Sequence, residues 1–122
     1  MSEDFIRVMH ALFLPAVESC QESPWRPAAD VYRGRNGWIV KFELAGVRPD
    51  ELELTVLGNR LTVRGVRRDY TALEDCYYYQ MEIAYCPFER SLTLPCDLER
   101  VNVTSEYRDG MLLVRIPEGD MS

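Results

Sequence analysis

One feature constrains this chain more than any other: apolar and polar residues alternate with a period of two, in short runs separated by turn residues. Trp38, Val40, Phe42 and Leu44 alternate with Ile39, Lys41 and Glu43. Successive side chains of an extended strand point to opposite faces, so this pattern gives a half-buried strand. Leu52, Leu54 and Val56 repeat it against Glu51, Glu53 and Thr55, and Leu61, Val63 and Gly65 against Thr62 and Arg64. Phe88, Arg90, Leu92 and Leu94 alternate with Glu89, Ser91 and Thr93, up to Pro95. Val101, Val103 and Ser105 give another run, and Leu112, Val114 and Ile116 the last, closed by Pro117. Asn36-Gly37, Gly58-Asn59 and Asp109-Gly110 are turn signals between runs, and Pro49 fixes the loop from Gly46 to Asp50. A short strand over Asp30 to Arg33 completes a hairpin with the run after Asn36-Gly37. Seven or eight short strands with short turns and no crossover helix predict a β-sandwich.

Two segments depart from that period. Over residues 3 to 14, Phe5, Val8, Met9, Leu12 and Phe13 recur at helical spacing, with Ser2 as cap, Glu3 and Asp4 at the positive end and Pro15 as stop. A short N-terminal helix is expected there. So short a helix barely holds alone in water, so its apolar stripe must rest on something else. Residues 15 to 29 read as a connector with Trp25 packed down as its anchor. Residues 68 to 82 form a long excursion for a hairpin. Tyr77, Tyr78 and Tyr79 make a strand-favouring patch within it, which suggests pairing away from the local sheet, with another chain.

Composition excludes several classes. With 122 residues the chain has room for one domain, and its formal net charge of -6 gives no general pull toward nucleic acid or an anionic membrane. The run RGVRRD, Arg64 to Asp69, is the best basic patch and reads as a solvated strand end. No uncharged apolar run reaches the roughly 18 residues of a membrane span. The start MSEDFIRVMH lacks the basic opening of a signal peptide, so a cytoplasmic chain is expected. Cys20, Cys76, Cys86 and Cys96 form no CxxC pair and are expected as free thiols. His10 is the only histidine, which leaves no histidine-rich metal site. No Ser-His-Asp arrangement is recognisable and there is no GxxxxGK[ST] loop, so neither an enzyme nor a cofactor is expected.

In order and spacing, these segments resemble the alpha-crystallin domain of small heat-shock proteins, the Hsp20 family. Leu44-Ala45-Gly46-Val47 followed by Pro49-Asp50-Glu51-Leu52 is similar to that family's loop into its central strands. Asn59-Arg60-Leu61-Thr62-Val63 with Gly65 is similar to the next strand. Phe88-Glu89-Arg90-Ser91-Leu92 with Leu94-Pro95 is similar to the strand after the long loop, with Glu82 at the familiar distance before it. Tyr107-x-Asp109-Gly110-Met111-Leu112 resembles the closing signature. The resemblance implies an all-β, immunoglobulin-like sandwich over residues 27 to 117. An N-terminal arm, residues 1 to 26, precedes it, and a truncated tail, residues 118 to 122, follows. There are departures. Cys86-Pro87 stands where the family often has glycine, and the Ile-x-Ile or Ile-x-Val tail motif is missing.

The implied activity is an ATP-independent holdase that keeps unfolding proteins from aggregating. Its implied form is a homodimer made by strand exchange through the long loop, a small oligomer, or a hetero-assembly with a longer relative. Phe5, Val8, Met9, Leu12 and Phe13 are the client-binding candidates, against the alternative that they build the dimer or oligomer. Val56, Leu57 and Leu113 are candidates for an edge groove, against ordinary core and surface positions. Tyr77, Tyr78, Tyr79, Glu82 and Arg90 are the dimer-interface candidates. Arg90 lies on the apolar side of its strand and needs a partner, with Glu82 favoured and Glu89 and Asp109 open. The rival reading is a protein-interaction module of the CS or p23-like type, a docking subunit or co-chaperone. A redox or metal sensor built from cysteines would require two of Cys76, Cys86 and Cys96 to meet.

Overall fold

The alternating runs become strands, the one from Val101 only at its end, in the computed structural model, which describes residues 25–71 and 75–118. The strands are β1 (Ala29–Gly34), β2 (Gly37–Glu43), β3 (Leu52–Leu57), β4 (Arg60–Val66), β5 (Pro87–Thr93), β6 (Thr104–Arg108) and β7 (Met111–Pro117). They form two antiparallel sheets, ordered β1-β2-β7-β6 and β3-β4-β5. The inward residues of each period-two run meet between the sheets. Val40, Phe42 and Leu44 from β2 and its end, Leu61 and Val63 from β4, and Leu112, Val114 and Ile116 from β7 are buried and form the core with Phe88, Leu94 and Leu98. Leu52, Leu54 and Val56 pack half-buried against it from β3.

Two tight turns fix the register. In the first hairpin Gly34 pairs with Gly37, so Arg35 and Asn36 are the two loop residues, one position before the Asn36-Gly37 pair read from the sequence. Gly37 has φ +139°, and a Cβ there would lie 2.1 Å from the Ile116 carbonyl oxygen of β7. Only glycine permits that approach. In the last hairpin Asp109 and Gly110, with φ of 53° and 77°, supply the left-handed pair that joins β6 to β7.

Three expectations need correction. The expected fold class combined the sandwich with a short N-terminal helix. The two-sheet fold is present, but among the described residues there is no α-helix, only 3-10 turns of three residues at Pro49–Glu51 and Leu98–Arg100. Residues 3 to 14, where the helix was expected, lie outside the described residues. The two sheets cover each other's apolar faces, so the sandwich needs no helical layer to close its core. The run from Val101 to Ser105 enters the ladder only at Thr104. Asp97 accepts a hydrogen bond from the Glu99 amide and the Leu98 amide bonds the Gly58 carbonyl, so the preceding residues coil instead. Val101 and Val103 still pack on the core from that coil. Finally, the described residues between Arg67 and Cys86 hold no strand.

Candidate functional site

The excursion between β4 and β5 leaves the sandwich through a narrow neck. Val66 pairs with Pro87, and the Arg67 amide then donates to the Cys86 carbonyl at 3.0 Å. Beyond the neck the tyrosines are in solvent: Tyr77 is 97% and Tyr79 100% exposed. Tyr78 and Ile83 are exposed as well. Contiguous exposed apolar surface on a protein marks a site of interaction. Among the described residues β1, in the four-stranded sheet, has no neighbour on its outer side, and it carries exposed Val31 and Tyr32. An unpaired strand edge is a template for another extended segment.

A charged cluster holds the outgoing limb. Arg68 Nε donates to both Glu51 carboxylate oxygens, at 2.9 and 3.1 Å, and the Tyr70 hydroxyl donates to the same carboxylate. The Arg48 guanidinium lies 3.7 Å from the Tyr70 ring centroid. Burial alone would raise the Glu51 carboxyl, but the Tyr70 hydroxyl and the Arg68 and Arg48 guanidinium groups together hold it below its usual range. Burial and the Glu51 carboxylate raise the Tyr70 phenol.

Trp25 anchors the connector, as the sequence suggests. Its ring meets Phe88 edge-on, with centroids 5.0 Å apart, and the Arg67 guanidinium lies 3.8 Å from its centroid. That placement brings the Pro27 carbonyl to Arg90, whose Nη1 donates to it at 2.7 Å. Within the chain Arg90 therefore bonds a backbone carbonyl rather than any carboxylate considered for it. Glu82 accepts from Gln80, Glu89 faces Arg64 at 3.5 Å, and Asp109 lies in the β6–β7 turn. Among the described residues Arg90 Nε is buried with no partner, and burial together with neighbouring Arg26 lowers the pKa of Arg90.

The groove candidates divide between the sheets. Val56 and Leu57 are adjacent on β3, with Val56 against the core and Leu57 76% exposed. Leu113 is on β7 in the other sheet, between Lys41 and Glu106 in register and out of phase with buried Leu112 and Val114. β7 lies between β2 and β6 in its sheet, so Leu113 belongs to a sheet face rather than an edge. The client-binding candidates Phe5, Val8, Met9, Leu12 and Phe13 lie outside the described residues, as do His10 and Cys20.

Cys76 is exposed, Cys86 buried and Cys96 half-buried, all as free thiols. Burial and the nearby Glu118 carboxylate push the Cys96 thiol up. Among the described residues no three of His, Cys, Asp and Glu gather as metal ligands, and no helix is long and apolar enough to cross a membrane.

Sequence reasoning missed two features: the Glu51–Tyr70–Arg68–Arg48 cluster and the contacts of Arg67. The only signal for the Arg67 contacts was Trp25 set between two prolines, which marks a fixed ring but not what it touches, and the Glu51 cluster left none.

The chain matches the model of the Hsp20/alpha crystallin family over residues 30–121. It is 31% identical over 96 residues to small heat shock protein C4 of Rickettsia felis, covering 79% of this chain and 59% of that protein. It is 32% identical over 120 residues to the 18 kDa heat shock protein of Streptomyces albus G, covering 93% of this chain and 78% of that one. Among solved structures, heat shock protein 16.0 from Schizosaccharomyces pombe superposes with a TM-score of 0.72 at 22% identity, over 80% of this chain and 91% of that one. The hspA of Xanthomonas axonopodis superposes with a TM-score of 0.64 at 27% identity, over 77% and 94%. The chain spans only 59% and 54% of the length of two of the curated relatives it matches.

Proposed function

This chain belongs to the Hsp20/alpha crystallin family, a family of generally chaperone-like proteins, and from that premise we propose that it is an ATP-independent holdase acting in the cytoplasm. It binds unfolding proteins through apolar surface and keeps them from aggregating. What supports the reading is the family match over residues 30–121, preceded in the sequence by an arm that carries the apolar residues Phe5, Val8, Met9, Leu12 and Phe13. Apolar attraction is non-directional, so such surface accepts many unfolded chains without reading their sequence.

In this reading the N-terminal arm, residues 1 to 26, serves clients through Phe5, Val8, Met9, Leu12 and Phe13. The domain, residues 27 to 117, serves assembly. Tyr77, Tyr78 and Tyr79 pair with the β1 edge of a second copy, so that each subunit's excursion covers the other's open edge. In the same reading Glu82 and Arg90 belong to the contact between the two copies. Val56 and Leu57, on the free-edged β3, offer a surface to a partner's extended segment.

The test is light scattering of a heat-aggregating client, without nucleotide, over a range of chain-to-client ratios. The full chain suppresses scattering, and a variant lacking residues 1 to 14 suppresses it less. Undiminished scattering at excess chain would overturn the reading in favour of a docking module.

A further inference from the structure

Arg67 stands at the neck of the excursion, yet its side chain reaches past the neck to three other segments. Its guanidinium covers the Trp25 ring of the connector at 3.8 Å. Its Nε donates to the Ala84 carbonyl, on the returning limb, at 2.8 Å. Its Nη1 donates to the Ala45 carbonyl, in the turn after β2, at 3.4 Å. Its own amide closes the neck on Cys86. Trp25, held by Arg67 on one side and by the edge of Phe88 on another, fixes the root of the arm. Arg90 completes that root through Pro27.

We propose that Arg67 is the link through which the root of the N-terminal arm and the neck of the excursion are held, and released, together. A guanidinium makes its three contacts in one orientation. It is planar, so the way it is set against the indole and the directions in which its nitrogens fork are fixed together. If Trp25 leaves, the guanidinium loses the surface that orients it, and the bond to Ala84 loses its alignment. If the returning limb leaves, Arg67 gains freedom and Trp25 loses its cover. Coupling of this kind is reciprocal. Its meaning for the molecule rests on the proposed function. The arm carries the client residues and the excursion carries the subunit contact, so a client that draws the arm away also loosens pairing. A loosened pair in turn yields its arm more readily.

The test reads the coupling in the full chain without any client, so it stands apart from the holdase reading. Amide hydrogen exchange by NMR is followed at Arg67, whose amide bonds Cys86, and at Leu98, whose amide bonds Gly58 at the opposite end of the sandwich. In Trp25→Ala the Arg67 amide exchanges faster by about ten- to a hundredfold, while Leu98 stays within about twofold. In Arg67→Lys, which keeps the charge but loses the flat fork, the Trp25 indole N–H signal shifts and loses protection. The Trp38 indole, bonded to Glu118 at 2.7 Å, does not move. An Arg67 amide unchanged in Trp25→Ala overturns the proposal. So does equal acceleration of Arg67 and Leu98, which would make Trp25 an ordinary part of the core. A chain that fails to protect clients but shows this exchange pattern keeps the coupling and loses only the function proposed above.

Discussion

Tyr107 shows how much one side chain can fix. From β6 its hydroxyl proton is shared between the Leu44 and Val47 carbonyl oxygens, each 2.7 Å away, so it ties an edge strand to the turn after β2. Tyr107→Phe leaves both carbonyls without that donor and lowers stability by about 1–2 kcal/mol, read as a lower denaturant midpoint at pH 7. Burial raises the phenol above its usual value near 10.0. A value raised by folding means its contribution is whole below the unfolded value and is lost as pH rises through the folded one. The gap between wild type and Tyr107→Phe should therefore narrow above about pH 10, and a constant gap would contradict this. At this scale the sequence was partly legible. Trp25 declared itself as an anchor through its flanking prolines, and Arg90 declared its need for a partner through its place in the alternation. The identity of that partner was not legible. A backbone carbonyl 63 residues earlier leaves no mark in composition, whereas carboxylates do, so reasoning from side chains alone pointed to Glu82.

Elements were legible where a period of two ran unbroken, because alternation reports burial directly. β2, β4 and β7 put the expected residues into the core. The entry to β6 was not legible, because the bonds that tie Gly58 to Glu99 and Leu98 are tertiary and, with the local cap at Asp97, outweigh the pattern at Val101 and Val103. The free edge of β1 and the bare tyrosines belong to this scale too. Tyr77→Ser with Tyr79→Ser removes rings that touch little within the chain, so the denaturant midpoint of the subunit should stay nearly unchanged. Subunit pairing should weaken by about tenfold or more in sedimentation velocity. Pairing as tight as wild type would remove the excursion from the contact and leave β1 without its proposed cover.

For the whole molecule, the sandwich could be read from strand number and turn chemistry, while the partition into four and three strands became visible only in three dimensions. Among the described residues, two sheets with free outer edges and an exposed aromatic excursion leave surface open to other chains, and the proposed holdase rests on such surface. The most direct measurement of that claim is the fate of the client itself. A thermolabile protein is heated with the chain in the absence of nucleotide, clarified, and the supernatant is separated by size. If the claim holds, client and chain elute together in one soluble complex larger than either alone. Client in the pellet, with the chain eluting alone at its unheated position, would contradict it.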